Sequence, residues 1–130
     1  MLSDCHILVV EDEALIALEL VKILEDQDAK VVGPVRTVIA ALRLLATTPI
    51  DCALLDIKLI DENAFAVAYA LSNRHVPFAF LTAYDDNVVP FRYGGRPTIH
   101  KPFTVVSIVQ AVIALVPLWD PAGSEPLSRI

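Results

Sequence analysis

Five residues of this chain are of types that can do chemistry together: Glu11, Asp12, Asp56, Thr82 and Lys101. Each follows an apolar, strand-like run. Asp56 ends Ile50-Asp51-Cys52-Ala53-Leu54-Leu55, Glu11-Asp12 close the run from His6, Thr82 follows Phe78 to Leu81, and Lys101 follows Thr98 to His100. If those runs are parallel neighbours, three carboxylates, a hydroxyl and an ammonium meet at one edge of one sheet. Two carboxylates ~4 Å apart repel by on the order of 4 kcal/mol at an effective dielectric of 20, and Lys101 offsets only one charge. A hard divalent cation such as Mg²⁺, which favours carboxylate and carbonyl oxygens, balances the rest. Asp56 can then attack a phosphoryl group in line, while Lys101 and Thr82 meet the charge that spreads over its oxygens. Taken singly, Glu11-Asp12-Glu13 reads as an acidic helix start, Thr82 as a turn residue and Lys101 as surface. Their joint placement after separate strands favours the phosphoryl-acceptor reading.

The elements that must position these residues follow from periodicity. Apolar runs alternate with helical patterns, which predicts βαβ units and a parallel sheet covered on both faces. Strands are expected at His6 to Val10, Lys30 to Val35, Asp51 to Leu55, Phe78 to Leu81 and Thr98 to His100. Helices are expected at about Glu13 to Gln27, Val38 to Ala46, Asn63 to Asn73 and Val105 to Val116. The segment Asp85 to Pro97 should hold a fourth helix, but Pro90, Gly94, Gly95 and Pro97 make it short or irregular. The fold class is therefore α/β: a doubly wound five-stranded parallel sheet of flavodoxin-like order 2-1-3-4-5, with its site at the carboxyl ends of the strands. Residues 1–117 are expected to form the domain and 118–130, rich in Pro, Gly and Ser, a flexible tail.

Composition narrows the function classes. A chain of 130 residues with 55% hydrophobic and 20% charged side chains fits one core-rich domain. No apolar stretch reaches the roughly 20 residues of a membrane span, and no basic region precedes the first apolar segment, so a cytoplasmic protein without a membrane partner is expected. A net charge of −6 with scattered Lys and Arg argues against nucleic acid as a partner. Cys5 and Cys52 fall in strands without a CxxC spacing and read as small buried thiols. His6, His75 and His100 have no spacing that suits a metal.

The segments ILVVEDE, DCALLDIKL, FAFLTAY and HKPF, in this order and spacing, resemble the receiver domain of two-component response regulators over about Cys5 to Val116. The resemblance implies Asp56 as phosphoacceptor, with Thr82 and Lys101 as its partners. It implies Mg²⁺ held by Asp12 directly, by Glu11 through water, by Asp56 and by the Lys58 carbonyl, and a Lys101-Pro102 peptide that is often cis. It implies a histidine kinase as phosphodonor, with small acyl phosphates as substitutes. The fourth strand resembles the alphaproteobacterial subgroup with a PFxFxTGY motif, whose members often pair with HWE-type kinases. Here Ala83 stands in place of the motif's Gly. Thr98 replaces the aromatic that usually precedes the lysine by three residues, and the loop after Asp56 lacks the usual Pro and Gly.

The leading expectation is a stand-alone receiver, a phosphoacceptor signalling protein rather than an enzyme, whose own chemistry is self-phosphorylation and self-dephosphorylation. Its message leaves by contact with a downstream effector or by transfer to a phosphotransfer protein. Helices one and five carry wide apolar arcs, Leu15 to Leu24 and Val105 to Val116, which suit a homodimer or partner surface, or else a thick core covered by Trp119. Tyr84 is a candidate to replace the missing aromatic switch. Alternatives are a receiver-like binding module that is not phosphorylated, and a haloacid-dehalogenase-like phosphatase. The phosphatase motif wants a second Asp two residues after the nucleophile, where this chain has Lys58. A flavodoxin-like flavin binder would need a phosphate loop where Glu11-Asp12-Glu13 repels one.

Overall fold

The computed structural model describes residues 2–59, 62–83 and 97–115. Five strands and four helices alternate within them: β1 (His6–Val10), α1 (Ala14–Glu25), β2 (Lys30–Val35), α2 (Val38–Thr47), β3 (Cys52–Asp56), α3 (Phe65–Asn73), β4 (Phe78–Thr82), β5 (Thr98–His100) and α4 (Val105–Leu115). All four pairings are parallel and the strands lie in the order β2-β1-β3-β4-β5, as expected. α4 is the helix expected fifth. The irregular helix expected over Asp85 to Pro97 lies, apart from Pro97, outside the described residues, as do Tyr84, Trp119 and the tail.

Strand side chains alternate between two cores, as a period of two requires. Ile7, Val9, Cys52, Leu54, Ala79, Leu81 and Ile99 face the layer of α1 and α4, packing with Leu20, Leu24, Ile108 and Val112. Leu8, Val10, Ala53, Leu55, Phe78 and Phe80 face α2 and α3, against Ala41, Leu45, Val67 and Leu71. Phe80 sits between Phe65 and Phe78 in two edge-to-face contacts, with centroids 6.0 and 5.4 Å apart. Burial on both faces explains why β1, β3 and β4 read as continuous apolar runs. Cys5 and Cys52 are buried free thiols, as expected.

Small boundary shifts have local causes. α3 starts at Phe65 rather than Asn63 because the Asn63 Oδ1 accepts the Phe65 N–H at 3.1 Å, while Asn63 itself bridges back to Lys58. Thr37 caps α2 by accepting the Ala40 N–H at 3.1 Å. Among the described residues β2 is an edge strand, where Pro34 is tolerated because no outer neighbour among them needs its N–H. Gly33 has φ +97°, and a Cβ there would lie 2.9 Å from the Val35 nitrogen, so only glycine fits where the β1–β2 register shifts.

Candidate functional site

The carboxyl ends of β1, β3, β4 and β5 converge at one edge of the sheet. Asp56 is the last residue of β3, and its main chain is held from both sides: β3 pairs with β1 and β4, and the Ile57 N–H donates to the Leu81 carbonyl at 3.1 Å. Glu11 extends β1 by one residue, its N–H donating to the Val35 carbonyl at 2.9 Å. Lys101 follows β5, its N–H donating to the Thr82 carbonyl at 2.8 Å. Glu11, Asp56 and Lys101 share the strand parity of Val9, Leu54 and Ile99, which all face α1 and α4. Period-two geometry alone thus aims the three side chains into one space.

Within that space the Lys101 Nζ lies 2.8 Å from Glu11 Oε1, 3.0 Å from Asp56 Oδ2 and 3.3 Å from Glu13 Oε1. Asp56 Oδ1 accepts the Lys58 N–H at 3.2 Å, so each Asp56 oxygen has a partner. Glu11 Oε2 accepts the Glu13 N–H at 3.0 Å. Its Oε1 is fully buried and meets Lys101 as an ion pair without an aligned hydrogen bond. Burial pushes the Glu11 carboxyl up to about 7; Asp56 adds to the rise, while Lys101 and the Glu13 N–H restrain it. Burial works against charge on Lys101 too, but its contacts with Glu11 and Asp56 outweigh that and raise its pKa.

Oxygens of Glu11, Asp12, Glu13 and Asp56 lie within 4.8 Å of one another, and one ammonium faces them. This donor set fits a hard divalent cation: all oxygen, in charge excess, with one buried acceptor lacking an aligned donor. An open pocket of about 260 Å³ lies over it, lined by Asp12, Glu13, Asp56, Lys58, Leu59, Ala83 and Lys101.

The structure thus brings Glu11, Asp56 and Lys101 into direct contact and Asp12 into the same cluster. Lys58 enters by its amide, and its side chain is exposed. Thr82 is buried at the end of β4, and its neighbour Ala83 lines the pocket. The Lys101-Pro102 peptide is cis, as the resemblance implied. Glu13 was expected only as a helix-start acid. Instead it is exposed and reaches Lys101, although it does mark the start of α1, without a side-chain cap. Three acids in a row were the one available signal.

Comparison with known proteins agrees with this geometry. Residues 7–113 match the response regulator receiver domain family. The chain is similar to the sensory transduction protein LytT of Bacillus cereus, 36% identical over 110 residues, which are 82% of this chain and 45% of that protein. It is also similar to the phyllosphere-induced regulator PhyR of Methylorubrum extorquens, 36% identical over 116 residues, 84% of this chain and 42% of that protein. It spans less than half the length of these two relatives. Among solved structures, that of SdrG from Sphingomonas melonis Fr1 is 42% identical, covers 89% of this chain and 99% of that one, and superposes with a TM-score of 0.79. The BeF3-activated conformation of SdrG gives 0.75. The likeness to PhyR and SdrG supports the alphaproteobacterial subgroup resemblance.

Proposed function

The chain belongs to the response regulator receiver domain family, and on that premise we propose that it accepts a phosphoryl group on Asp56 from a histidine kinase, with Mg²⁺ bound at the acidic cluster. Receiver domains are signalling proteins rather than classical enzymes, and they interact with histidine kinases and effectors. The observation that carries the proposal is the Lys101 ammonium, 3.0 Å from a nearly buried Asp56 and 2.8 Å from a fully buried Glu11, beside further carboxylates.

A carboxylate oxygen of Asp56 attacks the phosphorus of the donor's phosphohistidine. The P–N bond opposite breaks, and its electron pair leaves with the imidazole nitrogen, which takes up a proton. Lys101 neutralises one equatorial phosphoryl oxygen and the Thr82 hydroxyl donates to another. Asp12 and Asp56, with the Lys58 carbonyl and with Glu11 through water, are the residues that would hold the metal. When bound, Mg²⁺ supplies positive charge against the acids and the phosphoryl oxygens. The kinase is proposed to be of the HWE type that often partners this subgroup.

Outward signalling is proposed to use α1 and α4, which pack on each other and expose Leu15, Leu18, Val105, Val106 and Ile113. Pairing of two copies there is the specific form of this reading. A mass that stays monomeric by light scattering at high concentration, with and without phosphorylation, would remove it.

The test of the chemistry is incubation with acetyl phosphate and Mg²⁺, read on a phosphate-affinity gel. A retarded band is expected for the protein, and none for Asp56→Asn or in excess EDTA. Equal bands from protein and variant would overturn the assignment of Asp56. No band from either would leave the non-phosphorylated binding module as the better reading.

A further inference from the structure

Lys101 carries three ammonium protons and meets three carboxylates: Glu11 at 2.8 Å, Asp56 at 3.0 Å and Glu13 at 3.3 Å. Two of its N–H groups are hydrogen-bonded, to Asp56 and Glu13, while Glu11 Oε1 crowds the third side as an unaligned ion pair. On the reading that Asp56 accepts a phosphoryl group, an ammonium ringed by three carboxylates turns an aligned N–H to the new oxygens by letting one of them go. We propose that Glu13 is the one that yields: a positioning residue that holds Lys101 beside Asp56 and releases a donor when the phosphoryl group arrives.

The three partners differ in what release would cost. The Glu11 side chain is fully buried, so water cannot replace the ammonium there. Asp56 is the reacting group itself. The Glu13 side chain is 62% exposed and makes the longest of the three contacts, so water replaces Lys101 with little penalty. Its main chain does not depend on the contact. The Glu13 N–H stays on Glu11 Oε2 and its carbonyl on the Ala17 N–H, at 3.0 and 2.9 Å, so the start of α1 survives the release. Glu13 lines the pocket beside Asp56 and Lys101, which places the contact where an incoming phosphoryl donor enters.

Two variants separate a contact from a mere field effect. Glu13→Gln removes the charge, and Glu13→Asp keeps it on a side chain one methylene shorter, which draws it back from Lys101. The initial rate of labelling by acetyl phosphate at fixed Mg²⁺ is the readout, with urea unfolding confirming that each variant is folded. If Glu13 competes for Lys101, both variants are labelled about two- to five-fold faster, the scale of one exposed ion pair. Faster labelling of Glu13→Gln with Glu13→Asp unchanged would mean that only local charge matters, and would overturn the proposal. Unchanged or slower labelling of both would overturn it as well. An unmodified protein that takes no label would remove this inference together with the phosphoryl-acceptor reading, whereas the other failures leave that reading intact.

Discussion

Two aspartates bracket β3, and they have little in common beyond the residue type. Asp51 lies just before the strand and Asp56 ends it. Their side chains are 16% and 7% exposed, so burial hardly separates them. Their partners do. Asp51 Oδ2 accepts the His6 N–H at 2.7 Å and lies 3.3 Å from His6 Nδ1, while the Asp51 N–H donates to the His6 carbonyl at 2.8 Å. That is a reciprocal clamp between β1 and β3. Asp56 instead faces a lysine shared among three carboxylates, under an open pocket. A strand-end carboxylate becomes reactive when its surroundings leave negative charge uncompensated and an entry open. One that is satisfied by a neighbouring backbone becomes a fastener.

The sharpest way to break that contrast is to neutralise each aspartate in turn. Asp56→Asn should abolish labelling by acetyl phosphate, a loss of at least about 100-fold, because no nucleophilic carboxylate remains. Asp51→Ala should leave the initial rate within about twofold. A large loss in the Asp51 variant would show that the two ends of β3 are coupled.

The second effect belongs to the crowded end alone. The Glu11 carboxyl, at about 7 in the folded protein, lies above its ordinary 4.5. Between those values the folded state keeps a proton that the unfolded chain has released. The stability that this contributes is fully present below about 4.5 and is lost as pH rises through about 7, by on the order of 3 kcal/mol at most. Urea unfolding in EDTA at several pH values should show the decline, and Glu11→Gln should flatten it. Lys101, raised above its ordinary value, keeps its charge throughout that window. A slope that persists unchanged in Glu11→Gln would place the proton on another group.

Much of this arrangement was readable from the chain. Buried strands leave continuous apolar runs, so the residue that follows each run is conspicuous, and Glu11, Asp56, Thr82 and Lys101 stand out for that reason. Parity then says more than proximity: Ile7, Val9 and Glu11 alternate onto the α1/α4 face, as do Cys52, Leu54 and Asp56. What stayed hidden depends on contacts across long separations. Three consecutive acids look alike in sequence, yet Glu11 turns fully inward because it continues the β1 pleat, and Glu13 stays out at the start of α1. That Glu13 reaches Lys101, 88 residues away, follows only once β1 and β5 share a sheet. The Asp51–His6 clamp was invisible for the same reason, since its partners lie 45 residues apart and neither has an unusual neighbour.

That clamp gives the smallest effect and the most direct check on what separates the two aspartates. Asp51→Ala strips the His6 N–H of its acceptor at a site only partly open to water. An unsatisfied, partly buried donor costs about 1–2 kcal/mol, with the lost charge-assisted bond toward the upper end. The reverse bond, from the amide of residue 51 to the His6 carbonyl, survives because it is main chain, so β1 and β3 should stay in register. Urea unfolding at pH 7 should therefore show a lower midpoint with an unchanged slope, and the variant should still be labelled at Asp56. A changed slope would mean that the clamp also sets the compactness of one of the two states. Unchanged stability would mean that water replaces the Asp51 carboxylate at no cost, and the amino end of β3 would then need no fastener.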